Sequence, residues 1–157
     1  MMLKFHKNLS QLKYMQLMDV YSEDIAATAN RRSIGLAEQD FYDYLRAFFD
    51  LSGAFVAVWE LEGKYCSAVR IEPWRDGYLL SGLSTAPDCR RNGYGLALVR
   101  GVLEQLPAGS RVYSHIEKEN VPSIALHIQC GFARLQDSAR MLDGSVLQDF
   151  YTFCYEN

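Results

Sequence analysis

The chain has 157 residues, 49% of them apolar, and a formal net charge of −3. This length suits a single domain (residues 1–157) with its own core, and the excess of acids gives no electrostatic support for nucleic-acid binding. No apolar run approaches the roughly 18 residues that a membrane span requires, and the first residues lack the apolar stretch of a secretion signal, so we expect a cytoplasmic protein without a membrane partner.

The first part of the chain predicts one short strand, Leu3–His6, and two helices. Apolar residues at helical spacing predict a helix over Ser10–Ala29, with Ser10 as its N-cap. The same spacing predicts a second helix over Ala37–Phe49. Between Asp19 and Asp50 seven acids face three bases, a local charge of −4. Such a charge run is typical of a solvated helical face, but it can also wall a site for cations.

After the second predicted helix, the spacing of apolar residues changes to the alternation that is typical of β-strands. The runs Ala54–Leu61 and Lys64–Ile71 are joined by Glu62-Gly63, a hairpin signal. A turn at Pro73–Gly77 leads into a further strand, Tyr78–Thr85.

The last part alternates helices with strands. A helix is predicted over Gly93–Leu106, a strand over Arg111–Ile116 and a short helix over Asn120–Gln129. Two final strands, Ala133–Met141 and Val146–Tyr155, flank a turn. This order predicts a single α/β (α+β) domain whose sheet contains both parallel and antiparallel pairs.

The four cysteines are scattered, and none forms a C-x-x-C pair or lies at metal-ligand spacing from a histidine. We therefore expect free thiols and no metal site.

The segment from Arg90 to Gly95 is the clearest chemical signal. Two glycines at i and i+2, after a strand and before a helix, allow a tight turn and close approach of a ligand. The first amides of a helix lack partners and lie at its positive end, so the segment predicts a phosphate site. A Rossmann motif would need glycine at position 98, where the chain has Leu98, and a Walker motif is absent.

The pattern Arg90-x-x-Gly93-x-Gly95 resembles the Q/R-x-x-G-x-G/A loop of the GNAT N-acetyltransferase superfamily. The segment Asn120–Phe132 is similar to that family's N-x-x-A-x-x-L-Y-x-x-x-G-F element. The resemblance implies a mostly antiparallel sheet of about seven strands with about four helices. It also implies a cleft for CoA where the fourth and fifth strands splay apart near Gly82.

The resemblance further implies an N-acetyltransferase that moves an acetyl group from acetyl-CoA to a primary amine of a small molecule or peptide. The implied contacts with CoA are the pyrophosphate loop, the strand before it and the face of the short helix: Arg90, Arg91, Asn92, Gly93, Tyr94, Gly95, Leu96, then Leu83, Ser84, Thr85, then Asn120, Ser123 and His127. A non-catalytic acyl-CoA-binding module, or a transferase of longer acyl groups, stays an alternative. Both a monomer and a homodimer stay open.

The reaction needs a base more than an acid. Freeing a lysine-like amine of pKa about 10.4 costs roughly 4–5 kcal/mol at pH 7, whereas a leaving thiol of pKa near 8.5 needs at most about 2 kcal/mol of help. Candidate bases are Glu72, His115 and Glu117.

The candidate acid is His127, which stands where the family usually has tyrosine; a partly exposed structural histidine is the competing interpretation. Tyr94 and Tyr113 are alternative acids. The resemblance also implies that the two helices after the first strand wall the acceptor site. Here these helices form the acidic segment, which is also rich in aromatics, so we expect a cationic amine acceptor.

Overall fold

The computed structural model describes residues 2–29 and 33–157. The strands are β1 Met2–His6, β2 Phe55–Leu61, β3 Lys64–Trp74, β4 Gly77–Thr85, β5 Arg111–Glu117, β6 Ala133–Gln136, β7 Ala139–Arg140, β8 Val146–Leu147 and β9 Phe150–Glu156. The helices are α1 Tyr14–Val20, α2 Ser22–Thr28, α3 Ile34–Phe49, α4 Tyr94–Gln105 and α5 Val121–Gln129, with 3-10 turns at Leu9–Gln11 and Pro87–Cys89.

Seven of these strands form one sheet in the order β1-β2-β3-β4-β5-β9-β6. All neighbours in it are antiparallel except β4 and β5, which are parallel. The predicted mixed, mostly antiparallel fold is therefore confirmed. Arg31 and Arg32, two of the three bases in the acidic segment, lie outside the described residues.

The predicted turn between the second and third strands is confirmed, and both of its residues have left-handed backbone, with φ of 50° at Glu62 and 81° at Gly63. Such a pair favours a tight hairpin. The next strand, β3, runs further than predicted, through Pro73 to Trp74, and the chain turns at Arg75 instead.

The predicted helix over Ser10–Ala29 is divided in the structure. Asn8, rather than Ser10, caps the initial 3-10 turn by accepting from the amide of Gln11. The helix is then interrupted at Tyr21, whose buried side chain donates a hydrogen bond to the Gly82 carbonyl of β4. Helical spacing persists through the break, which is why the sequence pattern did not show it.

The two predicted final strands are also divided. The residues around Asp143 form a small separate hairpin, β7–β8, in which the Asp143 carboxylate accepts from the amide and hydroxyl of Ser145. The main strand β9 then inserts between β5 and β6.

Apolar side chains cover both faces of the sheet. On β2, Val56 and Val58 face the helices α1 to α3, while Ala57 faces the side of α4. Leu17 and Leu45 are completely buried on the first face, and burial of a leucine of this kind contributes about 1.5–3 kcal/mol.

One buried carboxylate fastens β2 to the start of the chain. Glu60 accepts from the ammonium groups of Lys4 at 3.1 Å and Lys13 at 3.4 Å. Desolvation raises the pKa of Glu60, but the hydrogen bonds from the two lysines outweigh it, so the pKa lies below its ordinary value.

Within residues 2–29 and 33–157 no helix is both long enough and apolar enough to cross a bilayer. In the same described ranges, no three metal-ligating side chains converge.

Candidate functional site

The parallel strands β4 and β5 separate along their length and open a cleft in the sheet. They pair at only two positions of β4, Tyr78 and Leu79. Further along, the register of β4 against β3 shifts between Ala68 and Arg70, and Gly82 adopts a left-handed φ of 63°. Because a bulge bends its strand, β4 turns away from β5. The predicted opening between the fourth and fifth strands is thus present, and Gly82 lies at its bend.

A cavity of about 220 Å³ occupies this cleft. It is bounded by the middle of β4, the end of β5, the start of α5 and one residue of α2. Its lining residues are Asp24, Leu80, Ser81, Gly82, Leu83, Ser114, His115, Ile116, Glu117, Asn120, Ser123, His127 and Phe150.

The glycine loop lies beyond the end of β4 and leads directly into α4. Arg91 and Gly93 have φ of 64° and 76°, which turns the chain so that α4 begins at Tyr94. The first intrahelical hydrogen bond runs from the Ala97 amide to the Gly93 carbonyl, so the amides of residues 94–96 have no partner inside the helix. No side chain caps this helix start, and a Cβ on Gly93 would meet nothing within 4 Å. The loop therefore offers open backbone donors at the positive end of a helix.

The second glycine of the loop has a different role. A Cβ on Gly95 would lie 3.4 Å from Leu126 of α5 and 3.4 Å from the Thr85 hydroxyl. Gly95 therefore lets α4 approach α5 and β4 closely, which sets the start of α4 against the end of the cleft.

The two arginines of the loop differ in their partners. Arg90 makes a two-pronged ion pair with Glu23 of α2, at 3.1 and 2.7 Å, and so ties the loop to the helical layer. Within the described chain, the exposed Arg91 forms no ion pair or side-chain hydrogen bond. The side-chain amide nitrogen of Asn92 donates to two backbone carbonyls of the loop and stiffens the turn. Of the three side chains, that of Arg91 is the one available to a ligand.

Helix α5 presents its polar face to the cleft. The Asn120 side chain caps it by accepting from the amide of Ser123. His127 is 1% exposed, which contradicts the competing interpretation of it as a partly exposed histidine. Its Nδ1 lies 2.7 Å from the Ser123 carbonyl and its Nε2 lies 3.0 Å from the Ser114 hydroxyl. A carbonyl can only accept, so Nδ1 carries the proton and Nε2 accepts from Ser114.

Burial also fixes the charge of this histidine. Desolvation lowers the pKa of His127, and its hydrogen bond to the Ser123 backbone opposes that only in part. The imidazole is therefore mostly neutral at pH 7, with both nitrogens engaged.

The family is decided by a match along most of the chain. Residues 16–132 match the model of the acetyltransferase (GNAT) family. The chain belongs to the GNAT family. Two solved structures with this fold are the ribosomal-protein-alanine N-acetyltransferase of Brucella melitensis, at 19% identity and a TM-score of 0.65, and the PaiA N-acetyltransferase of Thermoplasma acidophilum in complex with coenzyme A, at 12% and 0.70. Each comparison covers 100% of both chains. Among curated protein sequences, none matches the chain.

The candidate bases of this GNAT domain lie at different distances from the cleft. His115 and Glu117 line the cavity, and His115 packs edge-on against Trp74. Glu72 is not among the described residues that line it. Desolvation, aided by the charge of Arg75, lowers the pKa of His115, which keeps the ring neutral and able to accept a proton at pH 7.

The two tyrosines suggested as alternative acids are placed elsewhere. The Tyr113 hydroxyl donates to the Asp76 carboxylate at 2.6 Å, at the end where β4 and β5 still pair. Tyr94 packs against the core under α1 to α3. In the part of the chain that the structure describes, neither lines the cleft cavity.

A second cavity, of about 410 Å³, adjoins the cleft on the side of the acidic helices. It shares Asp24 and Gly82 with the cleft cavity, so the two spaces meet beside the bulge. The predicted role of the acidic and aromatic segment as a cavity wall agrees with this position. The described lining residues are Tyr21, Asp24, Ile25, Thr28, Ala37, Asp40, Phe41, Tyr44, Arg70 and Gly82.

Two residues of this junction were not among the predicted site residues. Asp24 was one of seven acids in a helical segment, and only the fold distinguishes it from the others. Arg70 did leave a signal, since it is a cation between Val69 and Ile71, which are both 0% exposed. Desolvation raises the pKa of Asp24, while the Arg70 guanidinium acts in the opposite direction.

A larger cavity, about 720 Å³, lies at the other end of β4, around Phe49, Pro73, Tyr78 and Leu106. It shares no described residue with the cleft or with the adjoining cavity. Its size therefore does not bear on the chemistry of the cleft.

Proposed function

We propose that this GNAT domain is an acetyl-CoA-dependent N-acetyltransferase acting on a primary amine of a small molecule or peptide. The observation that carries the proposal is the splayed β4–β5 cleft, which adjoins the second cavity, together with the uncapped start of α4 that follows β4 and has open space over Gly93. A thioester carbonyl in the cleft would lie between a donor-binding loop on one side and an acceptor cavity on the other. The amine would attack that carbonyl directly.

The donor would be held mainly by backbone groups. The amides of Asn92 to Leu96 would donate to the pyrophosphate at the positive end of α4, with Arg91 adding an exposed positive charge. Arg90 would act through its ion pair with Glu23, by keeping the loop in place, rather than by direct contact. The stretch Leu83–Thr85, which has no β5 partner in the described sheet, would pair with the pantetheine arm.

The other side of the cleft would complete the donor site. Asn120 and Ser123 lie at the start of α5 and line the cavity opposite β4. Their polar groups would bind the amides of the pantetheine arm, and the buried His127 lines the same cavity.

Removal of the amine's proton is the larger task, about 4–5 kcal/mol at pH 7 for an amine of pKa 10.4. His115 lies in the cleft as a neutral ring, and Asp24 lies where the cleft meets the second cavity. We propose that Asp24 attracts the ammonium form and that His115 receives the proton, directly or through water. Glu72 stays a weaker candidate because it does not line the described cavity.

The leaving thiolate needs little assistance, at most about 2 kcal/mol. His127 could deliver a proton only when doubly protonated, through the Ser114 hydroxyl that bonds to its Nε2. Its lowered pKa makes that state sparse at neutral pH. We therefore propose that the thiolate leaves largely unassisted and that the Ser114–His127 pair is a polar part of the cleft wall, with proton transfer from the doubly protonated imidazole as a secondary role.

The proposal is tested by measuring two quantities on the purified chain. Calorimetry with acetyl-CoA reports donor binding, and release of free CoA thiol with a panel of amines reports transfer. We expect binding together with turnover of at least one acceptor. Binding without turnover for any amine would instead support a non-catalytic acyl-CoA-binding module, and faster release from longer acyl-CoA donors would change the donor assignment.

A further inference from the structure

The second cavity contains a cation, Arg70, that no described carboxylate contacts at ion-pair distance, although Asp24 and Glu72 act on it at longer range. Within residues 2–29 and 33–157, Arg70 makes no ion pair, and its buried Nε has no hydrogen-bond partner. Its guanidinium is held instead by aromatic rings, 4.9 Å from the Tyr44 ring centre and 5.6 Å from that of Tyr21. Arginine stacked in this way is oriented but not neutralised. Its charge is therefore available to an anionic group.

Arg70 lies directly at the point where transfer would occur. A Cβ on Gly82 would come within 2.5 Å of the guanidinium, so the charge lies against the bulge that opens the cleft. Asp24 lines both cavities at the same junction. A cation and an anion thus line the same junction, in a cavity whose other described lining residues are mostly aromatic or small and apolar, together with Thr28 and a second carboxylate, Asp40.

This arrangement matches the charges of a zwitterion. An α-amino acid has its ammonium and carboxylate groups only about one residue's backbone apart, and an arginine fork recognises a carboxylate with two parallel hydrogen bonds. The rings of Tyr21, Phe41 and Tyr44 form the wall beyond these charges, so they would surround the side chain of such an acceptor.

We infer that the acceptor is an α-amino acid with an apolar or aromatic side chain, whose carboxylate binds Arg70 while its amine faces Asp24 and the cleft. This inference rests on the proposed acetyl transfer and specifies its acceptor. Attack by the free amine forms the amide bond and breaks the thioester bond, the thiolate leaves, and the amine's surplus proton passes to the base.

The test compares three acceptors that differ in one group: phenylalanine, phenylalaninamide and phenethylamine. We expect kcat/KM for phenylalanine to exceed that for either carboxylate-free amine by at least tenfold. Arg70→Gln should lower the value for phenylalanine by roughly 10- to 100-fold and leave that for phenylalaninamide within about threefold. Arg70→Lys, which keeps the charge but loses the fork, should fall between the two.

The matched control is Arg46→Gln, since Arg46 is an exposed arginine of α3 that lines neither cavity. It should leave the preference for phenylalanine unchanged. Equal use of the acid and the amide by the unmodified protein would overturn the inference, and so would an equal loss for both acceptors in Arg70→Gln, because that pattern describes a purely structural arginine.

Binding measurements distinguish failure of the acetyl-transfer proposal from failure of the proposed carboxylate site. If no amine is acetylated although acetyl-CoA binds, calorimetry with phenylalanine and the CoA-bound protein decides the inference. Binding that disappears in Arg70→Gln would retain the carboxylate site while the transferase proposal fails. No binding of phenylalanine would overturn the site as well.

Discussion

Replacement of Gly93 by glutamate separates binding of the donor from folding. The residue lies at the N-cap of α4, and its Cβ would point into open space, so the new side chain meets no protein atom near its base. A carboxylate about 5 Å from a phosphate charge repels it by about 1 kcal/mol in bulk water and about 3 kcal/mol at an effective dielectric constant near 20. Affinity for acetyl-CoA should therefore fall roughly 10- to 100-fold per interacting charge.

The backbone contributes a separate and smaller effect. The φ of Gly93 is 76°, and a residue with a Cβ pays about 1–2 kcal/mol in this left-handed region. Gly93→Gln has the same shape and the same strain without the charge, so it is the matched control. Both variants should lose stability in urea denaturation, the glutamate variant by up to about 1 kcal/mol less because its charge lies at the positive end of α4. Only the glutamate variant should lose most of its affinity for acetyl-CoA.

Calorimetry at two ionic strengths provides the measurement. Raising the salt toward 1 M shortens the screening length to about 3 Å, so the difference in affinity between the glutamate and glutamine variants should shrink. Equal affinities for acetyl-CoA at low salt would refute the assignment of the pyrophosphate to this loop.

Three further outcomes follow from the structure. If His115 is the base, kcat/KM should rise with pH through a pKa below the ordinary 6.5 and become flat by pH 7.5. His115→Gln should abolish this rise. A value of kcat/KM that instead falls over the same pH range would indicate that His127 acts as an acid. Glu60→Gln should cost about 1 kcal/mol at pH 7, since its lysine partners are partly exposed. The pKa of Glu60 is lower in the folded chain than in the unfolded chain, so its contribution to stability is fully present above the unfolded pKa and is lost as the pH falls through the folded pKa. The urea midpoints of the unmodified protein and of Glu60→Gln should therefore converge below pH 4.5. Gly77→Ala places a Cβ 2.1 Å from the backbone oxygen of Arg111 and should lower the free energy of unfolding by about 3 kcal/mol or more. Gly35→Ala in α3 meets no atom within 4 Å and should be neutral or stabilising by up to about 1 kcal/mol. Equal thermal unfolding midpoints for the two variants would contradict the packing argument.

Local sequence patterns determined the parts of the fold that depend on local physics. Alternating apolar residues specify the strands because side chains of a strand alternate between two faces. The Glu62-Gly63 turn could be read directly, since few residue pairs tolerate two successive left-handed conformations. The glycine loop before α4 could also be predicted from local sequence, because the backbone freedom at Gly93 and the unpartnered amides of a helix start are properties of a few consecutive residues.

Tertiary structure decided everything that joins residues distant in the chain. The break at Tyr21 depends on a hydrogen bond to Gly82, 61 residues away. The engagement of Arg90 with Glu23, 67 residues away, could not be distinguished in sequence from a free phosphate ligand. The burial of His127 required its contact with Ser114 of β5.

The proposed acceptor side of the site shows most clearly that the sequence alone does not reveal which distant residues come together. Asp24 and Arg70 lie in different elements, a helix and a strand, and neither belongs to a motif. Their proximity arises because Tyr21, between α1 and α2, bonds to Gly82 at the bulge of β4 and because the helices pack on the sheet through many apolar contacts rather than through any one residue's preference. The sequence by itself predicted a phosphate site at the glycine loop, because that prediction depends on a few consecutive residues. Only the folded chain brought together Asp24 and Arg70, the charges that we propose select the acceptor.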